Sequence, residues 1–202
     1  MQLLSINSCI NSYVMKNDLR VVKTKENIVN NFIHLLSLYD FKDITIQMLI
    51  NECKINKTTF YRHYIDKYDL IEKIQDKLLV EYKHVSSLFR DQLDEKAIVS
   101  LISYFNRNKE ELLILNKKSL PINMFQNIYE ILSNDIYVSL KKENKLMDLY
   151  SHLIANNILV TIKWCHSEND SLNDDELLKI ILHTIDTGIK DTAINIMHDS
   201  NK

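Results

Sequence analysis

ITIQMLINECKINKTTFYRHYIDKYDL, residues 44–70, is the stretch that decides the fold. Thr45 is of a type that caps helix N-termini, because its hydroxyl accepts from a backbone N–H that the first turn leaves unpaired. Ile46, Leu49, Ile50 and Cys53 follow at helical spacing and give a short second helix one apolar face. Lys54 and Ile55 leave room only for a tight turn before Asn56, another capping residue. A third helix is predicted over 57–64, with Phe60 and Tyr64, four residues apart, on its inner side. Lys57, Thr58, Tyr61 and Arg62 are left on the outer side. Asp66 then caps a longer helix carrying Leu70, Ile71, Ile74, Leu78 and Tyr82.

Upstream, Ile28, Phe32, Leu36 and Tyr39 form a stripe at spacings of four, four and three, so a first helix is predicted over 24–39. Thr24 is its expected N-cap, and Asp40 is expected to take the left-handed turn that glycine usually supplies. Residues 1–20 are too polar for a signal-peptide core and read as a tail or a short extra helix. Three helices before a longer one, with a tight turn between the second and third, make a helix-turn-helix pattern. Short hydroxyls, a lysine, an arginine and a tyrosine on the outer side of the third helix are the groups that reach phosphates and base edges in a major groove.

Residues 24–74, TKENIVNNFIHLLSLYDFKDITIQMLINECKINKTTFYRHYIDKYDLIEKI, resemble the DNA-binding domain of TetR-type transcriptional regulators. The family's first helix ends in a glycine-aromatic pair, matched here by Asp40-Phe41, and a threonine opens its second helix, here Thr45. Its turn and recognition helix run approximately A-G-V-S-K-G-T-L-Y-H-H-F, against Cys53-Lys54-Ile55-Asn56-Lys57-Thr58-Thr59-Phe60-Tyr61-Arg62-His63-Tyr64. A Ser-Lys-Glu opens the family's fourth helix, matched by Asp66-Lys67-Tyr68. Lys54 and Thr58 stand where the family has glycines, so Lys54 must accept the turn conformation and Thr58 adds bulk near DNA. The layout of the second half is similar to a subgroup that includes activators of dihydroxyacetone-kinase operons.

The resemblance implies an all-α fold: an N-terminal three-helix helix-turn-helix DNA-binding domain over 21–72 and a helical effector-binding and dimerisation bundle over 73–202. It implies DNA contacts from Lys57, Thr58, Thr59, Tyr61, Arg62 and His63, with Thr45 and Lys67 clamping phosphate at two helix N-termini. Arg62 is the candidate for a two-pronged guanine contact. A homodimer reading a pseudopalindromic operator is expected, acting as a repressor under an unidentified small-molecule effector.

The rest of the chain reads as helices over 96–106, 110–116, 122–142 (opened by Pro121), 146–166 and 174–197. The last two are apolar on more than one side, which suggests burial against a second copy. Tyr104, Phe105, Phe125, Tyr129, Tyr150 and Trp164 are aromatic candidates for lining an effector cavity. Single occurrences of glycine (Gly188) and proline (Pro121) argue against a turn-rich sheet protein and against a glycine-rich phosphate loop. The net charge of −2 hides a split: 10 Lys+Arg against 8 Asp+Glu in residues 1–75, and 15 against 19 in 76–202. That sign suits an N-terminal part that meets a polyanion.

Three widely spaced cysteines, Cys9, Cys53 and Cys165, indicate no disulfide framework and fit a reducing cytoplasm. No apolar run reaches the length of a membrane span. Cys165 and His166, with His152, Glu168, Asp170 or His183, lack metal-ligand spacing, so no metal is expected. No nucleophile-base pair or cofactor loop points to an enzyme. The alternative is an adaptor that keeps the fold and works through protein contacts of residues 146–197. Retention of Lys57, Arg62 and Lys67 argues against it.

Overall fold

A computed structural model of the chain describes residues 2–117, 119–140, 145–167 and 172–190. The regular structure among the described residues is all helical. The chain divides into two compact units, Met1–Ile74 with Lys117–Ile122, and Gln75–Asn116 with Asn123–Lys202.

The first unit holds α1 (Gln2–Leu38), a 3-10 turn (Phe41–Asp43), α2 (Ile46–Glu52), α3 (Lys57–Tyr61) and the opening of α4 (Lys67–Ser86). The stripe predicted on the first helix is its buried face except for Tyr39, which is 48% exposed just past the helix end: Ile28, Phe32, Leu35 and Leu36 join Phe41, Ile44, Leu49, Ile50, Phe60, Tyr64, Leu70 and Ile71 in one core. Two expected ends of α1 are corrected. Thr24 does not cap it, because the helix runs on to Gln2 and the Thr24 hydroxyl donates to the Arg20 carbonyl at 2.8 Å within it. Asp40 is extended (φ −67°, ψ 143°), not left-handed. The carbonyls at that end find other donors: Tyr39 N–H reaches Leu35 O at 2.9 Å, and the Lys117 ammonium reaches Leu36 O at 2.6 Å.

The second unit takes the rest of α4, then α5 (Leu88–Asp91), α6 (Glu95–Arg107), α7 (Lys109–Leu115), α8 (Met124–Ser139), α9 (Lys145–Ser167) and α10 (Asp174–His183). Past α10 the chain continues in wider π-type turns over Thr184–Lys190, and residues 191–197 of the predicted last helix lie outside the described residues. Caps set the starts. Asp94 accepts from Ala97 N–H at 3.0 Å, and Asn173 and Glu176 bond reciprocally to each other's backbone. α8 opens at Asn123, whose side chain accepts from Gln126 N–H at 3.3 Å, rather than at Pro121. Tyr82, Phe89, Ile98, Leu101, Tyr104 and Phe105 pack in this core with Ile128, Leu132, Ile136, Ile154, Ile158 and Ile162. One carboxylate is buried among them. Asp135, 1% exposed, accepts from Ser86 Oγ at 2.7 Å and from Arg90 Nε at 2.5 Å, tying α4 and α5 to α8.

Candidate nucleic-acid interface

The end of α2 and the start of α3 are built by local hydrogen bonds. Thr45 Oγ1 accepts from Met48 N–H at 3.2 Å and starts α2. At its far end Ile55 N–H bonds to Ile50 O at 3.1 Å, and Lys54 N–H to Asn51 O at 3.2 Å. This pair of bonds is the Schellman closure, and it requires a left-handed residue just past the helix. That residue is Lys54 (φ 54°), the one non-glycine residue with positive φ among the described residues. Asn56 Oδ1 then accepts from Thr59 N–H at 2.7 Å and Thr59 Oγ1 at 2.8 Å, opening α3. Regular helix in α3 ends at Tyr61, short of the predicted residue 64, although His63 and Tyr64 N–H still bond back to Phe60 O at 2.9 and 3.0 Å.

Phe60 is fully buried and Tyr64 6% exposed, with ring centroids 5.8 Å apart. This aromatic pair anchors α3 from beneath. Lys57, Thr58, Tyr61 and Arg62 are exposed on the other side and line one shallow concavity. The Lys57 ammonium stands 5.9 Å over the Tyr61 ring, and neither Lys57 nor Arg62 has an acidic partner among the described residues. Free cations beside exposed hydroxyls on a rigid short helix are what polyanion binding asks for.

The other predicted contacts fall differently. Thr59 is half-buried and its hydroxyl is committed to the Asn56 cap. Thr45 is exposed at the start of α2, apart from that concavity. His63 is half-buried at the end of α3. Its burial, then the neighbouring Lys25 and Arg62 cations, hold its imidazole below the usual histidine range.

Lys67, expected as a phosphate clamp, turns toward the interior of the first unit. Its ammonium turns inward and donates to the carbonyls of Phe41, Lys42 and Ile44 at 2.7, 3.1 and 2.8 Å, lying 4.7 Å from the centre of the Phe41 ring. An ammonium has three protons, and all three are engaged within the unit.

Two further cations stand beside this head, Lys25 on α1 and Lys54 in the turn, both exposed. Lys54 was legible as a departure from glycine. Lys25 was not, because its nearness to His63 arises from packing of distant segments. Asn27 Nδ2 donates to Cys53 O at 2.9 Å, which fixes this part of α1 against the end of α2. Cys53 itself is buried, and that burial, with the Glu52 charge, pushes its thiol up to about 11. It is a filler rather than a reactive thiolate.

In the second unit, no group of three or more His, Cys, Asp or Glu among the described residues is placed to hold a metal ion. His166 Nε2 lies 2.9 Å from Asn106 Oδ1, and the Asn106 amide donates to both Asp174 oxygens at 2.9 and 3.0 Å. His152 pairs with Tyr129 OH at 2.8 Å. Glu168 and Asp170 lie outside the described residues. Of the aromatic candidates for an effector lining, Tyr104, Phe105 and Tyr150 are buried, Phe125 and Tyr129 half-buried, and Trp164 is 53% exposed. No helix among the described residues is long and apolar enough to cross a membrane.

No protein-family model and no curated protein matches the sequence. Among solved structures, the chain is similar to a TetR transcriptional regulator from Streptococcus agalactiae 2603V. The identity is 26% and the TM-score 0.61, over 85% of this chain and 98% of that one.

Proposed function

We propose that this chain, a TetR-type transcriptional regulator in fold and in its helix-turn-helix head, is a homodimeric repressor that binds operator DNA through α3 and releases it under a small-molecule effector. The observation that carries the reading is the outward row of α3. Lys57, Thr58, Tyr61 and Arg62 stand exposed, and the two cations have no acidic partner among the described residues, over an aromatic pair packed beneath the helix. Arg62 offers a planar fork to a guanine edge, while Lys57 and the hydroxyls offer donors to phosphate.

A second copy is supported by α9. Leu149, Leu153, Val160 and Trp164 are 52, 44, 54 and 53% exposed and follow one another at spacings of four, seven and four, so they form one apolar stripe. Pairing two such stripes about a two-fold axis buries them and presents two reading heads. Half-sites would then lie about 34–36 Å apart or at a multiple of that. Effector control is supported by the interior of the second unit, where Gln75 Nε2 and Asn157 Oδ1 are buried without hydrogen-bond partners among the described residues. α4 contributes Lys67–Ile74 to the first unit and its remainder to the second, so a guest that shifts α4 acts on the head.

Fluorescence anisotropy tests the reading, with a labelled duplex from the region upstream of the chain's own gene and a scrambled duplex of equal composition. Preference for the first, weakening steeply between about 0.05 and 0.2 M salt, is the expected result. Equal affinity for both, or none for either, would overturn it.

A further inference from the structure

A groove of about 340 Å3 runs along the outside of the seam between α8 and α9, at the small end of the range of small-molecule pockets. Asn156, Val160 and Lys163 line it from α9, at helical spacings of four and three. Phe125, Gln126 and Tyr129 line it from α8. Neither of the buried amides Gln75 and Asn157 belongs to its walls.

We propose that this groove binds a small monocarboxylate with an apolar body, and that a second copy of the chain supplies its outer wall. The proposal rests on the pairing through α9 given above and names a ligand class.

The only charge in the lining is Lys163. Its ammonium lies 4.9 Å from the centre of the Phe125 ring and has no acidic partner among the described residues. A ring face holds an exposed cation weakly, so a carboxylate draws the ammonium into a charge-assisted hydrogen bond instead. The Asn156 amide is exposed one turn and a half away and makes no hydrogen bond among the described residues, so it is open to the same ligand. The other polar groups are partly committed. Asn123 Oδ1 accepts from Gln126 N–H at 3.3 Å, Gln126 Nε2 donates to Glu130 at 2.9 Å, and Tyr129 OH is 2.8 Å from His152 Nδ1. Two carboxylates thus stand at the fringe, Glu130 on Gln126 and Asp148 at 3.5 Å from His152 Nε2. One cation inside with two acids nearby favours a single negative charge over a phosphate dianion. Phe125, Leu159 and Val160 supply apolar surface for the rest of the molecule.

Alone, the groove opens to solvent along α9, whereas small-molecule sites bury most of their ligand. Val160 is both a wall of the groove and a member of the exposed stripe Leu149, Leu153, Val160 and Trp164. Pairing two stripes covers Val160 and brings a second copy against the open side.

Calorimetric titration of the full-length protein tests this, with benzoate, phenylacetate and isovalerate as probes, benzamide as the uncharged analogue and phenyl phosphate as the dianion. At least one carboxylate should bind, and more tightly than benzamide or phenyl phosphate. Lys163→Gln should weaken it at least about tenfold and Asn156→Ala about fivefold, with the dimer retained in light scattering. Benzamide should not distinguish Lys163→Gln from wild type. Leu149→Asp with Leu153→Asp, two stripe residues outside the groove lining, should give a monomer that loses carboxylate binding.

No binding of any of the three carboxylates, or equal binding by wild type and Lys163→Gln, would overturn the groove as the site, while a dimer in light scattering leaves the pairing reading standing. Full-affinity binding by the Leu149→Asp, Leu153→Asp variant, whether monomer or dimer, would remove the second copy from the site. A wild-type chain that is monomeric at all concentrations would end the pairing reading and the outer wall together.

Discussion

Lys67→Met separates a structural lysine from a phosphate clamp. The side chain keeps its apolar stem and loses its three bonds of 2.7, 3.1 and 2.8 Å to the carbonyls of Phe41, Lys42 and Ile44. Hydrogen bonds from a charged donor contribute about 1.5–3 kcal/mol each net of water. The Lys42 carbonyl is exposed and water replaces its partner, whereas the Phe41 and Ile44 bonds are part-buried. Two bonds at the low end, plus about 0.5–1 kcal/mol for the ammonium over the Phe41 ring, give nearly 4 kcal/mol. Returning the half-buried ammonium to water offsets about 1 kcal/mol, so the net loss is on the order of 3 kcal/mol. For a chain of 202 residues that lowers the midpoint by about 6–12 °C. Urea titration followed by circular dichroism measures the loss, and the salt slope of DNA binding is measured in parallel. A variant within about 0.5 kcal/mol of wild type, with a slope reduced by about 1.8 per dimer, would refute the reasoning and return Lys67 to the DNA.

Other outcomes follow from the same contacts. The folded pKa of His63 is lowered, so the neutral imidazole is favoured, and its contribution to stability is lost as pH falls below the unfolded value near 6.5 and through the folded one. Bound phosphate favours the charged ring, so DNA affinity should rise as pH falls through that window, and His63→Gln should flatten the rise. The raised pKa of Cys53 gives the opposite sign: its contribution is present below the unfolded thiol value near 9 and fades as pH climbs through about 11. Thiol labelling at mild pH should accordingly be at least tenfold slower in the folded protein than in urea, to order of magnitude. Asp135→Ala should destabilise by about 1–3 kcal/mol in urea, because it strands the buried Ser86 hydroxyl, while the half-exposed Arg90 guanidinium regains water. Arg107→Ala, at the exposed pair with Glu81, should change stability by less than about 1 kcal/mol. Leu153→Asp with Val160→Asp should yield monomers in light scattering; an unchanged dimer would remove α9 as the interface.

What the sequence determined by itself is local. Thr45, Asn56 and Asp66 cap helices from a few residues away, the turn at Lys54 closes on Ile50 and Asn51, and the spacing of Phe60 and Tyr64 puts both beneath α3. Such bonds and periodicities span three to five residues, so the residue order contains them. The outward row of Lys57, Thr58, Tyr61 and Arg62 was legible for the same reason. The tertiary structure decided where long side chains end. Lys67 meets carbonyls more than twenty positions upstream, Asn27 meets Cys53, Lys25 comes near His63, and Asp135 collects Ser86 and Arg90. It also decided that α9 leaves one apolar stripe in solvent. A flexible ammonium or a buried carboxylate takes whichever partner packing brings near, and that choice lies in contacts between segments that no short window of sequence holds together.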